Sequence, residues 1–140
     1  MDFDPYLFFS GDCQEALATY ATIFGGAVSR LTLYKDVPPE VAAESQLPAE
    51  YSEKVMHARF DGPSFSFMAS DARPGGAFGN GRISLAVGLE SKNEAQRIFD
   101  ALARGGSIEM PLQPAFWGGY FGMVTDKFGI DWMINAAPDA

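Results

Sequence analysis

One histidine and one cysteine are all that this 140-residue chain has of the two side chains most often used as transition-metal ligands or nucleophiles. A lone cysteine excludes an internal disulfide, which agrees with a reducing compartment. Basic residues are also scarce, 10 against 18 acidic ones for a formal charge of -8, and they are scattered singly. No surface of that composition attracts phosphates strongly, so no nucleic-acid partner is expected. Long apolar runs are missing as well: none reaches the ~18 residues that suggest a bilayer span. The opening Met1-Asp2-Phe3-Asp4 has no basic region of the signal-peptide kind, and the expectation is a cytoplasmic protein with no membrane partner.

What the chain does have is aromatic bulk. Hydrophobic residues make up 47%, with 12 Phe, 5 Tyr and 2 Trp, which argues for a packed core in a chain of single-domain length. From Pro5 to Ser10 an almost wholly apolar run reads as a strand buried on both faces. Asp12 with Glu15 resembles a capping box, and Ala16, Leu17, Tyr20, Ile23 and Phe24 recur at helical spacing until Gly25-Gly26. The same series begins again about eighty residues later. Ile83 to Leu89 is strand-like, Ser91 to Glu94 forms a cap, Ala95, Ile98, Phe99 and Leu102 make a helical stripe, and Gly105-Gly106 closes it. Strand signals follow each double glycine: Ala27 to Tyr34, Val55 to Phe60 and Ser64 to Ser70, then Ser107 to Leu112, Gly119 to Thr125 and Asp131 to Asn135. The spacing predicts an α+β chain of two tandem βαβββ modules forming a curved mixed sheet, as one domain over 1–140. Module one spans 1–71, a linker 72–81, and module two 82–140. Residues 36–53 read as a long flap.

Several motifs sharpen this pattern. They are the opening Pro5 to Gly26, Lys54-Val55-Met56-His57-Ala58, Met68-Ala69-Ser70-Asp71 and Phe99-Asp100-Ala101-Leu102, then a closing series from Met110 to Asn135. That series holds Met110-Pro111-Leu112, Trp117-Gly118, Phe121-Gly122, Asp126-Lys127-Phe128-Gly129 and Trp132-Met133-Ile134-Asn135. In this order they resemble the PhnB-like branch of the vicinal oxygen chelate superfamily, which includes glyoxalases, bleomycin-resistance proteins and dioxygenases. The resemblance covers nearly the whole chain. It implies two modules enclosing a cleft, and a homodimer. It also implies a test for metal, because catalytic members of the superfamily take a His, Glu or Gln ligand from the first and last strands of each module. A divalent ion needs three or four such groups converging, with open positions for substrate oxygens. Here the first strands carry no His, Glu, Asp or Gln, and the last strands offer only Asp131 and Asn135. His57 falls on the third strand of module one, so no metal and no cofactor is expected. PhnB-like proteins have been assigned by similarity to methyl transfer in ubiquinone synthesis, but this chain lacks a Rossmann-like glycine loop followed by an acidic residue.

Without chelating residues, the ligand set expected from the sequence is Phe8, His57, Phe67, Trp117 and Tyr120, with no catalytic residue named. His57 shares a strand face with Val55 and Arg59, while Met56, Ala58 and Phe60 take the core side. It reads either as a hydrogen-bonding or acid-base group in the cleft or as a partly exposed histidine bound to a backbone carbonyl. The stretch Pro114 to Tyr120 reads either as an aromatic ligand wall or as a packing plug. Cys13 reads as a buried helix residue rather than a nucleophile, Asp126 to Gly129 as a turn, and Asp71 as a turn-former capping local amides. Lys54, Arg59 and Arg82 are too dispersed in sequence for an anion clamp. Two functions remain open. One is a metal-independent protein that binds or sequesters a small molecule, apolar or aromatic. The other is a glyoxalase- or dioxygenase-type enzyme, metal-dependent through an unconventional site involving His57 with carboxylates such as Asp71 or Asp131, or using no metal. A third possibility is a cleft filled by the chain's own side chains, with action through partners.

Overall fold

Alternation, rather than uniform apolarity, governs the first strand. β1 (Tyr6–Phe9) buries Leu7 and Phe9 and leaves Phe8 53% exposed. The expectation of a strand buried on both faces is corrected here: the core side chains of β1 point to the helix-covered face, and Phe8 points to the other. The computed structural model describes residues 1–38, 48–72 and 83–139. Most of the expected flap and linker, and Arg82, lie outside the described residues.

The elements run β1, α1 (Cys13–Phe24), β2 (Ala27–Leu33), β3 (Val55–Asp61), β4 (Ser66–Asp71), β5 (Leu85–Leu89), α2 (Lys92–Ala103), β6 (Ser107–Pro114), β7 (Tyr120–Thr125) and β8 (Asp131–Ala136). Short 3-10 turns occupy Tyr34–Asp36 and Ala49–Glu53. The chain divides into two compact units, Met1–Phe78 and Gly79–Ala140, each with one βαβββ repeat. In the first unit the strand order is β1-β4-β3-β2, and in the second β5-β8-β7-β6. In both, the first strand runs parallel to the last and the other pairings are antiparallel. The expected α+β class and repeat therefore hold, as two four-stranded mixed sheets. No helix among the described residues is long and apolar enough to cross a membrane.

Each helix lies on one face of its own sheet. In α1 the stripe Ala16, Leu17, Tyr20 and Ile23 is buried, as is the sheet face of Phe9, Ala58, Phe60, Phe67 and Ala69. Tyr20 meets Phe67 edge-on at 6.2 Å, and Phe60 stacks on Phe67 at 5.1 Å. In the second unit the stripe Ala95, Ile98, Phe99 and Leu102 is buried together with Val124, Trp132, Ile134 and Ala136. Each large side chain removed from water in this way stabilises by about 1.5–3 kcal/mol, so these stripes carry most of the fold.

The two helix starts differ. Ser91 caps α2 locally, its hydroxyl accepting from Glu94 N at 3.0 Å, as the cap motif predicts. Asp12 makes no such bond, and its Oδ1 is buried without a hydrogen-bond partner. The acceptor at α1 comes instead from the end of β4. Asp71 Oδ1 accepts from Gly11 N and Cys13 N, both at 2.9 Å, and Oδ2 accepts from Val55 N at 2.9 Å. Thus Asp71 ties the β1–α1 junction and β3 to β4, rather than capping its own neighbourhood. A second buried carboxylate, Asp126, holds the β7–β8 turn. It accepts from Phe128 N and Ile130 N, and from Trp132 Nε1 at 2.9 Å.

Candidate functional site

The face of each sheet that turns away from its helix carries Phe8 in the first unit and Phe121 in the second, and strand parity decides which residues reach it. In the first unit Tyr6 pairs with Met68, Arg59 with Met68, and Thr32 with His57. Side chains opposite each other across a ladder share a face, so Tyr6, Phe8, Met68, His57 and Arg59 lie together. The rings of Tyr6 and Phe8 are 4.8 Å apart, and Tyr6 meets His57 edge-on at 5.9 Å. Two of the expected ligand residues, Phe8 and His57, are therefore brought together, with Tyr6 between them.

Phe67 is not with them. It is 3% exposed, stacked between Phe60 and the α1 side, because its position on β4 has the opposite parity to Met68. In the second unit Trp117 is 59% exposed and meets Phe121 edge-on at 5.6 Å, with the fully exposed Phe116 beside it. Tyr120 is paired with the buried Ala136 and lies on the α2 side, where Lys92 Nζ sits 4.8 Å above its ring. Its hydroxyl donates to Asp139 at 2.9 Å, a bond that raises the phenol above its ordinary pKa. Sequence reasoning missed Tyr6 and Phe121. Period-two alternation from Phe8 would have found the first; the second needed the path of the Gly118-Gly119 turn.

Cys13 is fully buried, and desolvation, with the Asp71 and Asp12 carboxylates, pushes its thiol up to about 12. A raised pKa means the neutral thiol is favoured in the fold. Its stabilising contribution is whole below about pH 9 and is lost progressively as pH rises toward 12. At pH 8, an aromatic disulfide reagent is expected to leave the native thiol unlabelled over an hour and to label it fully in denaturant. Fast native labelling would contradict this placement.

The positions of β1 and β4 on the aromatic face are Tyr6, Phe8, Ser66, Met68 and Ser70; those of β5 and β8 are Ala86, Gly88, Asp131, Met133 and Asn135. They hold no imidazole, and their one carboxylate, Asp131, accepts from Thr125 Oγ1 at 2.7 Å. Asp71 has both oxygens engaged by backbone N–H groups, which removes it as a partner for His57. Among the described residues no group of three or more His, Cys, Asp or Glu could hold a metal ion. These residues do not fit the divalent ion of the chelate superfamily.

A family sequence model described as 3-demethylubiquinone-9 3-methyltransferase matches residues 1–135. The protein YjdN of Escherichia coli K12 is 37% identical over 143 residues, covering 96% of this chain and 95% of YjdN. The crystal structure of PA1353 from Pseudomonas aeruginosa is 41% identical, with 99% of each chain covered and a TM-score of 0.85. A PhnB protein from Bacillus cereus is 27% identical, with 98% of this chain and 100% of that one covered and a TM-score of 0.82. A glyoxalase-related enzyme from Fulvimarina pelagi, 18% identical with a TM-score of 0.62 over 97% of this chain and 88% of its own, shares the fold alone.

Proposed function

This chain belongs to the PhnB-like family, the one whose description names 3-demethylubiquinone-9 3-methyltransferase, and from that premise we propose that it binds or sequesters a small apolar or aromatic molecule without a metal ion. The observation that carries this reading is the Tyr6–Phe8 pair with His57. These residues form an aromatic surface, 53% exposed at Phe8, with Tyr6 and Phe8 on the first strand and His57 on the third. An exposed aromatic pair offers a flat apolar partner stacking energy and relief from water. The Trp117–Phe121 pair gives the second unit a similar surface. Methyl transfer finds no support in the residues, since no glycine loop of a methyl-donor site is present.

Fluorescence titration with Nile red, a neutral flat dye, tests the reading. The wild type is expected to bind with a blue shift, and Phe8→Ala to weaken binding roughly tenfold, with Trp117→Ala removing any second class of sites. Absence of dye binding in the wild type, or binding unchanged in both variants, would sink it.

A further inference from the structure

We propose that Arg30 and Arg59 form an oxyanion seat beside the aromatic surface of the first unit, so that its ligand is an aromatic or apolar acid rather than a neutral molecule. This rests on the binding reading above and adds the ligand's charge. Arg30 and Arg59 are direct partners across the β2–β3 ladder, so both guanidinium groups rise from one sheet face. Like charges placed opposite each other destabilise a ladder unless something of the other sign sits between them. Asp61 meets only part of that need. Its Oδ1 accepts from Arg59 Nε at 3.1 Å, and Ser66 Oγ accepts from the Arg59 Nη2 at 3.1 Å, which fixes one guanidinium in place.

Arg30 is exposed and has no ion-pair partner among the described residues, although the chain carries 18 acidic residues and Lys35, Arg59 and Arg97 each have one. Lys35 has Glu53 at 2.9 Å, and Arg97 has Glu94 at 2.7 Å. Two cations kept in register, one oriented and one open, match the two-oxygen geometry of a carboxylate or phosphate. The same cross-strand row continues from Arg59 to Met68 and Tyr6. At about 4.8 Å per strand, Tyr6 stands roughly 10 Å from Arg59 along the sheet. An acid with a short spacer between ring and head group spans that distance once the arginine side chains extend towards it.

Calorimetric titration of the full chain with naphthalene-2-acetate, its neutral amide and 2-naphthyl phosphate tests the seat. At least one anion is expected to bind about tenfold tighter than the amide, and the tighter of the two identifies the head group. Arg30→Gln, a change at an exposed position, is expected to bring anion and amide to parity and to leave the amide affinity unchanged. Phe8→Ala is expected to weaken all three probes alike. Parity in the wild type, an anion preference that survives Arg30→Gln, or no binding of either anion overturns the proposal. Amide binding that depends on Phe8, without any anion preference, removes the seat and leaves the small-molecule reading standing. Anion binding that depends on Arg30 but not on Phe8 does the reverse.

Discussion

Asp71→Ala is expected to lower the stability of the fold by roughly 3–5 kcal/mol, a large share of the ~5–15 kcal/mol that holds a domain of this size. The side chain is 2% exposed and accepts three backbone hydrogen bonds from three separate stretches: the β1–α1 junction at Gly11, the first turn of α1 at Cys13, and the start of β3 at Val55. Alanine leaves all three donors without their acceptor, two of them at buried bonds, and each buried donor left unpaired costs about 1–3 kcal/mol. The α1 N-terminus also loses the negative charge that complements its dipole. Asparagine is not a remedy, because its amide places a donor against a donor at one of the three contacts. The second unit supplies the comparison. Ala136 pairs with Leu89 as Asp71 pairs with Phe9, and the α2 cap is supplied locally by Ser91. Ser91→Ala is therefore expected to cost only about 1 kcal/mol. Urea unfolding of both variants measures the contrast; a loss at Asp71 no greater than that at Ser91 would mean the three bonds are replaceable by water.

That contrast also marks how far the sequence is readable. The repeat, the buried helix stripes and the order of strands follow from periodicities that act over a few residues, and all of them stand in the structure. Asp71 does not follow from such a pattern. Its partners are 60, 58 and 16 positions away, and only the packing of β1, β3 and β4 brings them within reach. The local reading, Asp12 with Glu15, chose the residue of right type and nearest position, and it lost to a more distant carboxylate. The aromatic site shows the same limit at shorter range. Phe8 and Phe67 both lie on apolar strands, and which faces away from α1 depends on parity fixed by pairing, with Tyr6 opposite Met68 and Phe60 opposite Phe67. The Arg30–Arg59 pairing is further hidden by an irregularity between Val28 and Arg30, which shifts the register by one residue. Counting along the strands from the Ala27–Asp61 pair would have placed Ser29 opposite Arg59.

The double glycines carry the other large effect. Gly25-Gly26 and Gly105-Gly106 read from sequence as helix stops, and Gly25 and Gly105, at φ of 80° and 74°, serve as such. The second glycine of each pair has a different task. A Cβ on Gly106 would overlap the carbonyl oxygen of Thr125 and stand 2.9 Å from Asp126 Cα, and one on Gly26 would overlap the carbonyl oxygen of Asp61. In each unit the chain leaving the helix passes directly against the last hairpin, with backbone on backbone and no flexible side chain to yield. Gly106→Ala is therefore expected to cost about 3 kcal/mol or more, since relief requires moving the turn that Asp126 holds. Gly88 is the control. It lies within β5 with no atom within 4 Å of an added Cβ and no positive φ, so Gly88→Ala is expected to leave stability unchanged or raise it by about 0.5 kcal/mol through the unfolded state. Equilibrium unfolding of the two variants separates the causes. Equal losses would point to a general intolerance of side chains at glycine positions, whereas a loss confined to Gly106 would establish the close passage of two backbone segments as what the repeated double glycine encodes.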